Sequence, residues 1–472
     1  MALPLFLAIA LVRGLLYAML IPPWQSPDEP QHYQMVRLVG GWSFSSPELL
    51  QEQSQQVATE VVQSLRDHRF WEYRYRRPAP APTDRRTDEE ILRDEKLAPA
   101  IGHPPLYYAL AAVVLYPFRS APVAVQLYVL RGLSVVLSLV TVWCVFTVGR
   151  WGWLGGSMNH ACAAAFFAVL LPMRTFISGA ANNDALAEAL ASVTIVMVLW
   201  CGWKGLAARQ VIVLAVLLLS GLFTKRTNLF LFPFVTGFLL WRGISMVGGG
   251  GSATKHPHSG TGPDGRAQPI AGSRGGYAVL VTALLLVMLI TAALLYDGVT
   301  RHWWDAPARI AQLWQANRYT AQAFNKYGLW SLLTFASLWG NFGWMNIPLD
   351  VGWYVSLALV TLALTVSATR AALRAWCNRR QNYPKCRAIG FCVSAVLLVL
   401  AHSGASMIVR QMPPQGRYLF PAMLPMALGF AWGLFEWIPV KYHRLGLGAA
   451  ALALIVLDSA SLFGYVLPYF YG

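Results

Sequence analysis

Charge is what this sequence has least of. Only 12% of its 472 residues are charged, against roughly a quarter in soluble domains. With 56% hydrophobic residues and a mean hydropathy of +0.47, a water-soluble body of this size would lack the polar material to cover itself. Cysteine is scarce too. Cys144, Cys162, Cys201, Cys377, Cys386 and Cys392 show no spacing that suggests a zinc site or a disulfide framework. The first apolar run has no basic segment ahead of it and no A-x-A-like site after it, and Arg13 lies inside it; the expectation is a retained span rather than a cleaved signal peptide. Apolar and polar residues do not alternate along the runs, which argues against a transmembrane barrel.

What the sequence does have is a series of continuous apolar runs, several long enough to cross a ~30 Å hydrocarbon core as helices. They fall at 3–21, 123–148, 161–177, 193–203, 211–223, 229–241, 279–296, 355–369, 391–408, 419–437 and 449–467. The predicted fold is therefore all-α: a polytopic membrane helical bundle of about eleven transmembrane helices, a single unit over 1–472.

The formal net charge of +16 is a topology signal rather than a nucleic-acid footprint. Lys and Arg gather at Arg150, at Lys204 and Arg209, from Arg242 to Arg274, from Arg370 to Arg387, and at Lys441 and Arg444. The positive-inside rule makes these segments cytoplasmic and puts the N-terminus inside. The Gly/Ser/Pro stretch 248–276 then reads as a flexible cytoplasmic linker. The long loop 23–121 falls outside, with 13 of the 21 acidic residues. None of the six cysteines lies in it, which fits an oxidising compartment.

This loop is expected to fold. Leu50, Val57, Val61 and Leu65 share one helical stripe, for a helix that lies along the membrane and bundle or else packs on the rest of the loop. Arg74 to Arg86 is Pro-rich, basic and expected to be mobile. Thr87 and Glu90 have the spacing of a capping box for a short helix to about Lys96. A second outer region, 297–354, carries an apolar piece at 329–339 that is too short to span and reads as an interfacial or re-entrant helix.

Four polar clusters fall at the outer ends of spans, where polar groups are costly and thus candidates for function. They are Ser26 to Tyr33, with Asp28, Glu29 and His32; Asn182-Asn183-Asp184, with Glu188 one turn on; Thr224 to Asn228, with Lys225 and Arg226; and Gln415-Gly416-Arg417-Tyr418. Ordinary readings stand beside the functional ones: a solvated helix boundary for Asp28 and Glu29, a helix N-cap for Asn182 to Asp184, headgroup contacts for Lys225 and Arg226, snorkelling for Arg417, and a plain loop residue for His103. Two acidic and two cationic clusters nonetheless converge on one face.

These motifs carry a resemblance. The Asp28-Glu29 pair after the first span, and His103-Pro104-Pro105-Leu106-Tyr107-Tyr108 before the second, resemble the first outer loop of glycosyltransferase-C enzymes. Asn182-Asn183-Asp184, Thr224-Lys225-Arg226, Gln415-Gly416-Arg417-Tyr418 and the Gly340-x-Phe-Gly-Trp segment resemble a bacterial branch of predicted membrane proteins whose domain is described as of unknown function. The resemblance implies a bundle with short juxtamembrane helices in its first outer loop. It also implies a polyprenyl-phosphate sugar as donor substrate, a glycan, lipid or protein acceptor, and inversion at the anomeric carbon. His103 stands where some relatives carry Lys.

On this reading Asp28 or Glu29 acts as the general base. Arg417, Lys225, Arg226 and His103 meet the donor phosphate, where charge grows in the transition state. His32, Asn182, Asn183, Asp184, Gln415 and Tyr418 bind substrate. A divalent metal stays open as an auxiliary at the carboxylates. The competing classes are a transporter or flippase of lipid-linked sugars and a non-catalytic envelope scaffold. Spatially, Asp28 close to Arg417 at one face favours the enzyme, and a two-sided polar path favours transport.

Overall fold

The computed structural model describes residues 2–41, 47–81, 83–248, 321–379, 383–410 and 413–472. Nearly all of it is helix. The chain opens with α1 (Ala2–Leu20), followed by four helices of the first long loop: α2 (Glu29–Gly40), α3 (Pro47–Asp67), α4 (Phe70–Tyr75) and α5 (Asp88–Asp94). Then come α6 (Leu106–Leu115), α7 (Val123–Gly149), α8 (Met158–Leu170), α9 (Pro172–Ser178), α10 (Asp184–Lys204), α11 (Ala208–Thr224) and α12 (Leu231–Gly248). The last third holds α13 (Ala321–Trp339), α14 (Val351–Cys377), α15 (Tyr383–Arg410), α16 (Met423–Glu436), α17 (His443–Ser459) and α18 (Leu467–Tyr471).

Among the described residues seven stretches are long and apolar enough to cross a membrane: Ala2–Leu20, Val123–Gly149, Asp184–Lys204, Val351–Cys377, Tyr383–Met407, Gly416–Glu436 and Val440–Tyr471. An eighth arises if α8 and α9 are one broken span. The two bend by 62° at Leu171, where Pro172 removes a backbone donor and starts a new helix. The count of eleven is thus not reached among the described residues. The run at 211–223 lies in the 17-residue α11, roughly 26 Å at 1.5 Å per residue, and short of a full crossing. The run at 229–241 begins in a 3-10 turn (Arg226–Phe230) and continues into α12, which is not among the seven. The run at 279–296, most of the 248–276 linker and the first part of the 297–354 region lie outside the described residues.

Two cores form. The bundle core joins residues of α1, α7, α8, α10, α15 and α16. A second core belongs to the long loop and its supports, with Trp24, Tyr33, Val57, Val61, Leu65, Phe70, Trp71, Ile91, Leu92, Tyr107 and Tyr108. Val57, Val61 and Leu65 of the expected stripe are buried, whereas Leu50 is 44% exposed. Helix α3 therefore packs chiefly on α2, α4 and α5. Each fully buried side chain of this kind contributes about 1.5–3 kcal/mol, enough to hold the loop as a folded cap.

The capping box forms as expected. Thr87 Oγ1 accepts from Glu90 N at 3.2 Å, and Glu90 Oε2 accepts from Thr87 N at 2.7 Å. Beyond α13 a two-residue hairpin pairs Asn341–Phe342 with Ile347–Pro348. Trp344 at its tip donates Nε1 to the Trp24 carbonyl at 2.9 Å. The basic stretch is anchored at its start, where the Arg74 guanidinium lies 3.5 Å from the centroid of the Trp344 ring.

Charged residues inside the bundle are paired, as hydrocarbon demands. Arg13 and Tyr17 of α1 both bind Asp458 of α17, with Arg13 Nε–Oδ2 and Tyr17 Oη–Oδ1 each 3.0 Å. Arg174 of α9 meets Glu188 of α10 at 2.7 Å.

Candidate functional site

Seven residues separate the end of α1 from Asp28, and the turn they make is tight. Trp24 and Asp28 both sit in the left-handed region, at φ 69° and 66°. That costs a non-glycine residue on the order of 1–3 kcal/mol, and such strain tends to gather at functional sites. The turn aims the two neighbouring carboxylates in different directions.

Glu29 points inward. Its side chain is fully buried and takes a bidentate pair from Arg131 of α7, Nε–Oε1 and Nη2–Oε2 both 2.7 Å. Glu29 Oε1 also accepts from Ala181 N at 3.1 Å. Arg131 spends its remaining donors on the carbonyls of Ala18, Ile21 and Pro22. This node fixes the α1–α2 corner against the segment that carries Asn182 and Asn183.

Asp28 points the other way and keeps 35% of its side-chain surface. Its Oδ2 is paired with Nη2 of Arg417. Burial acts to raise the Asp28 pKa, but the Arg417 charge overrides it, helped by His32 and Lys225, and holds the carboxyl well below the usual carboxylate range.

Arg417 is itself almost fully buried. Its Nε donates to Gln415 Oε1 at 2.5 Å, and its Nη1 lies 3.7 Å from Asp184 Oδ2. The guanidinium carbon is 5.7 Å from the centroid of the Tyr418 ring. Gly416 explains how the chain gets so close to α13. A Cβ there would fall 2.2 Å from Leu338 N and 2.3 Å from its Cα, and Gly416 N donates to Ser337 Oγ at 2.7 Å.

Lys225 completes the group, with Nζ 2.5 Å from Asp184 Oδ1. Two carboxylates and two cations thus alternate: Asp28, Arg417, Asp184, Lys225. They come from the α1–α2 turn, the segment before α16, the start of α10 and the break between α11 and α12.

The flanking residues converge as well. Asn182 Oδ1 accepts from Asp184 N at 2.9 Å, an Asx-type turn just ahead of α10, while the N-cap residue Asn183 makes no side-chain cap bond. Asn183 Nδ2 donates to the Thr224 carbonyl at 3.2 Å and lies 3.3 Å from His103 Nδ1. Arg226 turns away from the quartet and donates to the Gly102 carbonyl at 2.8 Å, which holds the loop before His103. His32 hydrogen-bonds Tyr108 through Nδ1 at 2.7 Å, its ring 5.5 Å from that of His103. Burial, with the nearby His103, lowers the His32 pKa to about 3 against the opposing pull of Asp28.

The candidates named from the sequence lie in or beside one cluster, except that Glu29 is fully engaged by Arg131, Glu188 pairs with Arg174, and Arg226 turns to Gly102. Reading the sequence missed Arg131, Arg174 and Asp458. Each is a charged residue inside an apolar run, so the signal was present, but its partner is distant in the chain. Among the described residues no group of three or more His, Cys, Asp or Glu is placed to hold a metal ion. Ser26 Oγ, Asn183 Oδ1, Asp184 Oδ2 and Arg417 Nη1 are buried without a hydrogen-bond partner in the protein.

A helical bundle of this kind, with charged groups gathered where spans meet a folded cap, is that of a multi-pass membrane protein. The chain belongs to the family described as predicted membrane protein (DUF2142), which it matches over residues 11–425. That match runs from within α1 to the start of α16 and takes in the whole cluster. No curated protein matches the chain.

Proposed function

We propose that this protein is an integral membrane glycosyltransferase of the glycosyltransferase-C type. It moves a sugar from a polyprenyl-phosphate donor to an envelope glycan, lipid or protein acceptor at the outer face of the plasma membrane, with inversion. The observation that carries this reading is the Asp28–Arg417 pair, backed by Asp184 and Lys225. It sets a carboxylate beside cations at one end of the bundle, the arrangement that a lipid-phosphate donor would need.

The chemistry follows from those groups. Asp28 takes the proton of the acceptor hydroxyl. The acceptor oxygen bonds to the anomeric carbon, and the bond from that carbon to the phosphate oxygen breaks. The electron pair leaves on the phosphate, where Arg417 and Lys225 stabilise the charge. A carboxylate paired with Arg417 is a weak base. A phosphate that competes for the guanidinium weakens that pair and makes Asp28 more basic when donor is in place. Glu29 positions rather than reacts, because Arg131 and Ala181 N occupy its oxygens. Asn183 Oδ1, which has no hydrogen-bond partner, and Asp184 Oδ2, held only by the 3.7 Å ion pair to Arg417, suit sugar hydroxyls.

Transport of a lipid-linked sugar would need polar groups free along the depth of the bundle. The deeper charges, Arg13 with Asp458 and Arg174 with Glu188, are paired with each other. The test is incubation of the purified protein in vesicles with polyprenyl-phosphate sugars and envelope extract. Release of polyprenyl phosphate with labelled sugar moving to an acceptor supports the enzyme. Movement of intact donor between leaflets without bond cleavage refutes it.

A further inference from the structure

At the end of the bundle remote from the candidate site, two groups of cations differ in kind. In one, Glu436 pairs with Arg374 and lies 3.5 Å from Arg370 Nε, so a carboxylate serves both. In the other, Arg242 of α12 and Arg387 of α15 share a single indole, Trp241, with their guanidinium carbons 5.7 Å and 4.9 Å from its centroid.

Both lean on the C-terminal end of α10. Arg387 donates to the Gly202 carbonyl. A Cβ on Gly205 would meet Arg242 Nη2 at 3.8 Å. That helix terminus offers roughly half a negative charge, against two full positive ones. Lys204 in the last turn adds a third cation, 4.1 Å from the centroid of Trp203. Among the described residues neither Arg242 nor Arg387 joins an ion pair. Arg242 Nε is moreover buried without a hydrogen-bond partner.

Snorkelling does not account for this. A lone arginine extends toward water and away from other cations, whereas these two converge on the C-terminal end of α10. Behind the cations Trp241 and Phe391 pack on the bundle core, where Phe238 and Phe234 are almost fully buried. Phe391 stands 5.6 Å from both Trp241 and Phe238, and 6.4 Å from Phe234. Two convergent guanidiniums with an unmet donor, at the cation-rich end of the bundle, suit the headgroup of an anionic phospholipid.

We propose that Arg242 and Arg387, which share the Trp241 ring, bind the phosphodiester headgroup of an anionic membrane phospholipid seated against α10, α12 and α15. The site does not depend on the proposed transfer reaction. The test is thermal unfolding of the purified protein titrated with phosphatidylglycerol, phosphatidylcholine or inorganic phosphate. The expected result is a saturable rise in Tm with phosphatidylglycerol alone, abolished in the Arg242→Gln/Arg387→Gln variant and kept in Arg370→Gln. An equal rise with phosphatidylcholine, a rise with inorganic phosphate alone, or a full rise in the double variant would overturn it. Should that variant fail to fold, native mass spectrometry of the unaltered protein in mixed lipid decides. Retention of phosphatidylglycerol at about tenfold excess over phosphatidylcholine supports the site, and equal retention contradicts it.

Discussion

Asp28 and Arg417 are 389 positions apart in the chain and form one ion pair. The pair joins the first turn of the protein to the segment before α16, and Arg417 extends it to Asp184 and Lys225. Two conformational devices hold it: the left-handed backbone at Asp28 and the side-chain-free backbone at Gly416.

If Arg417 grips the donor phosphate, lysine cannot replace it, because its ammonium lacks the planar fork that binds two oxygens. Loss of one charge-assisted hydrogen bond is worth ~1.5–3 kcal/mol. Arg417→Lys should therefore weaken donor binding about tenfold or more, with membrane insertion unchanged. Donor affinity measured for both forms checks this, and an unchanged value would remove Arg417 from the donor site.

Gly416→Ala tests the same segment through its backbone. The added Cβ overlaps the α13 backbone at Leu338, which no rotamer change can relieve. Overpacking of this sort costs about 1–3 kcal/mol. The expected outcome is a lower Tm and weaker donor binding together, since any shift of Gly416 carries Arg417 with it. A Tm equal to that of the parent would show that the close approach is not required.

Glu29→Gln should act on stability. It leaves Arg131 charged and without its carboxylate at a fully buried position. Removal of one partner of a buried pair typically costs 3–5 kcal/mol. Loss of folded protein, measured by thermal unfolding, is expected to exceed that of Asp28→Asn clearly. Equal stability of the two variants would contradict the division of roles between the neighbouring carboxylates.

Acid should destabilise the cap through His32. Its folded pKa of about 3 lies below the ordinary ~6.5 of an unfolded histidine. The unfolded chain therefore binds the proton first, and stability falls as pH drops from 6.5 toward 3. By pH 5 this single group accounts for on the order of 2 kcal/mol. His32→Gln should show a smaller loss of Tm between pH 7 and pH 5 than the parent, and an identical loss would reject the depressed histidine.

Much of this arrangement was legible in the sequence. The apolar runs gave the helical bundle, and Thr87 with Glu90 gave the capping box, because both signals are local. The clusters around Asp28, Asp184, Lys225 and Arg417 could be picked out because each sits where an apolar run ends. What is not local was harder to read. Glu29 and Asp28 look equivalent in sequence, and only Arg131, 102 positions on from Glu29, separates them. Helix α3 has the stripe of a surface helix, and its packing on α2, α4 and α5 depends on a tertiary fold that periodicity does not encode. The bend at Pro172 and the 17-residue α11 turned apolar runs into something other than single full spans.

The central claim is that Asp28 is the base of a lipid-phosphate-dependent sugar transfer. The most direct measurement is polyprenyl phosphate released per unit time from labelled polyprenyl-phosphate sugars, by the parent protein and by Asp28→Asn side by side at matched Tm. Loss of a general base typically lowers the rate roughly a hundredfold to ten-thousandfold. The account predicts acceptor-dependent release by the parent and a fall of that size in the variant, with donor still bound. Near-normal transfer by Asp28→Asn would contradict it.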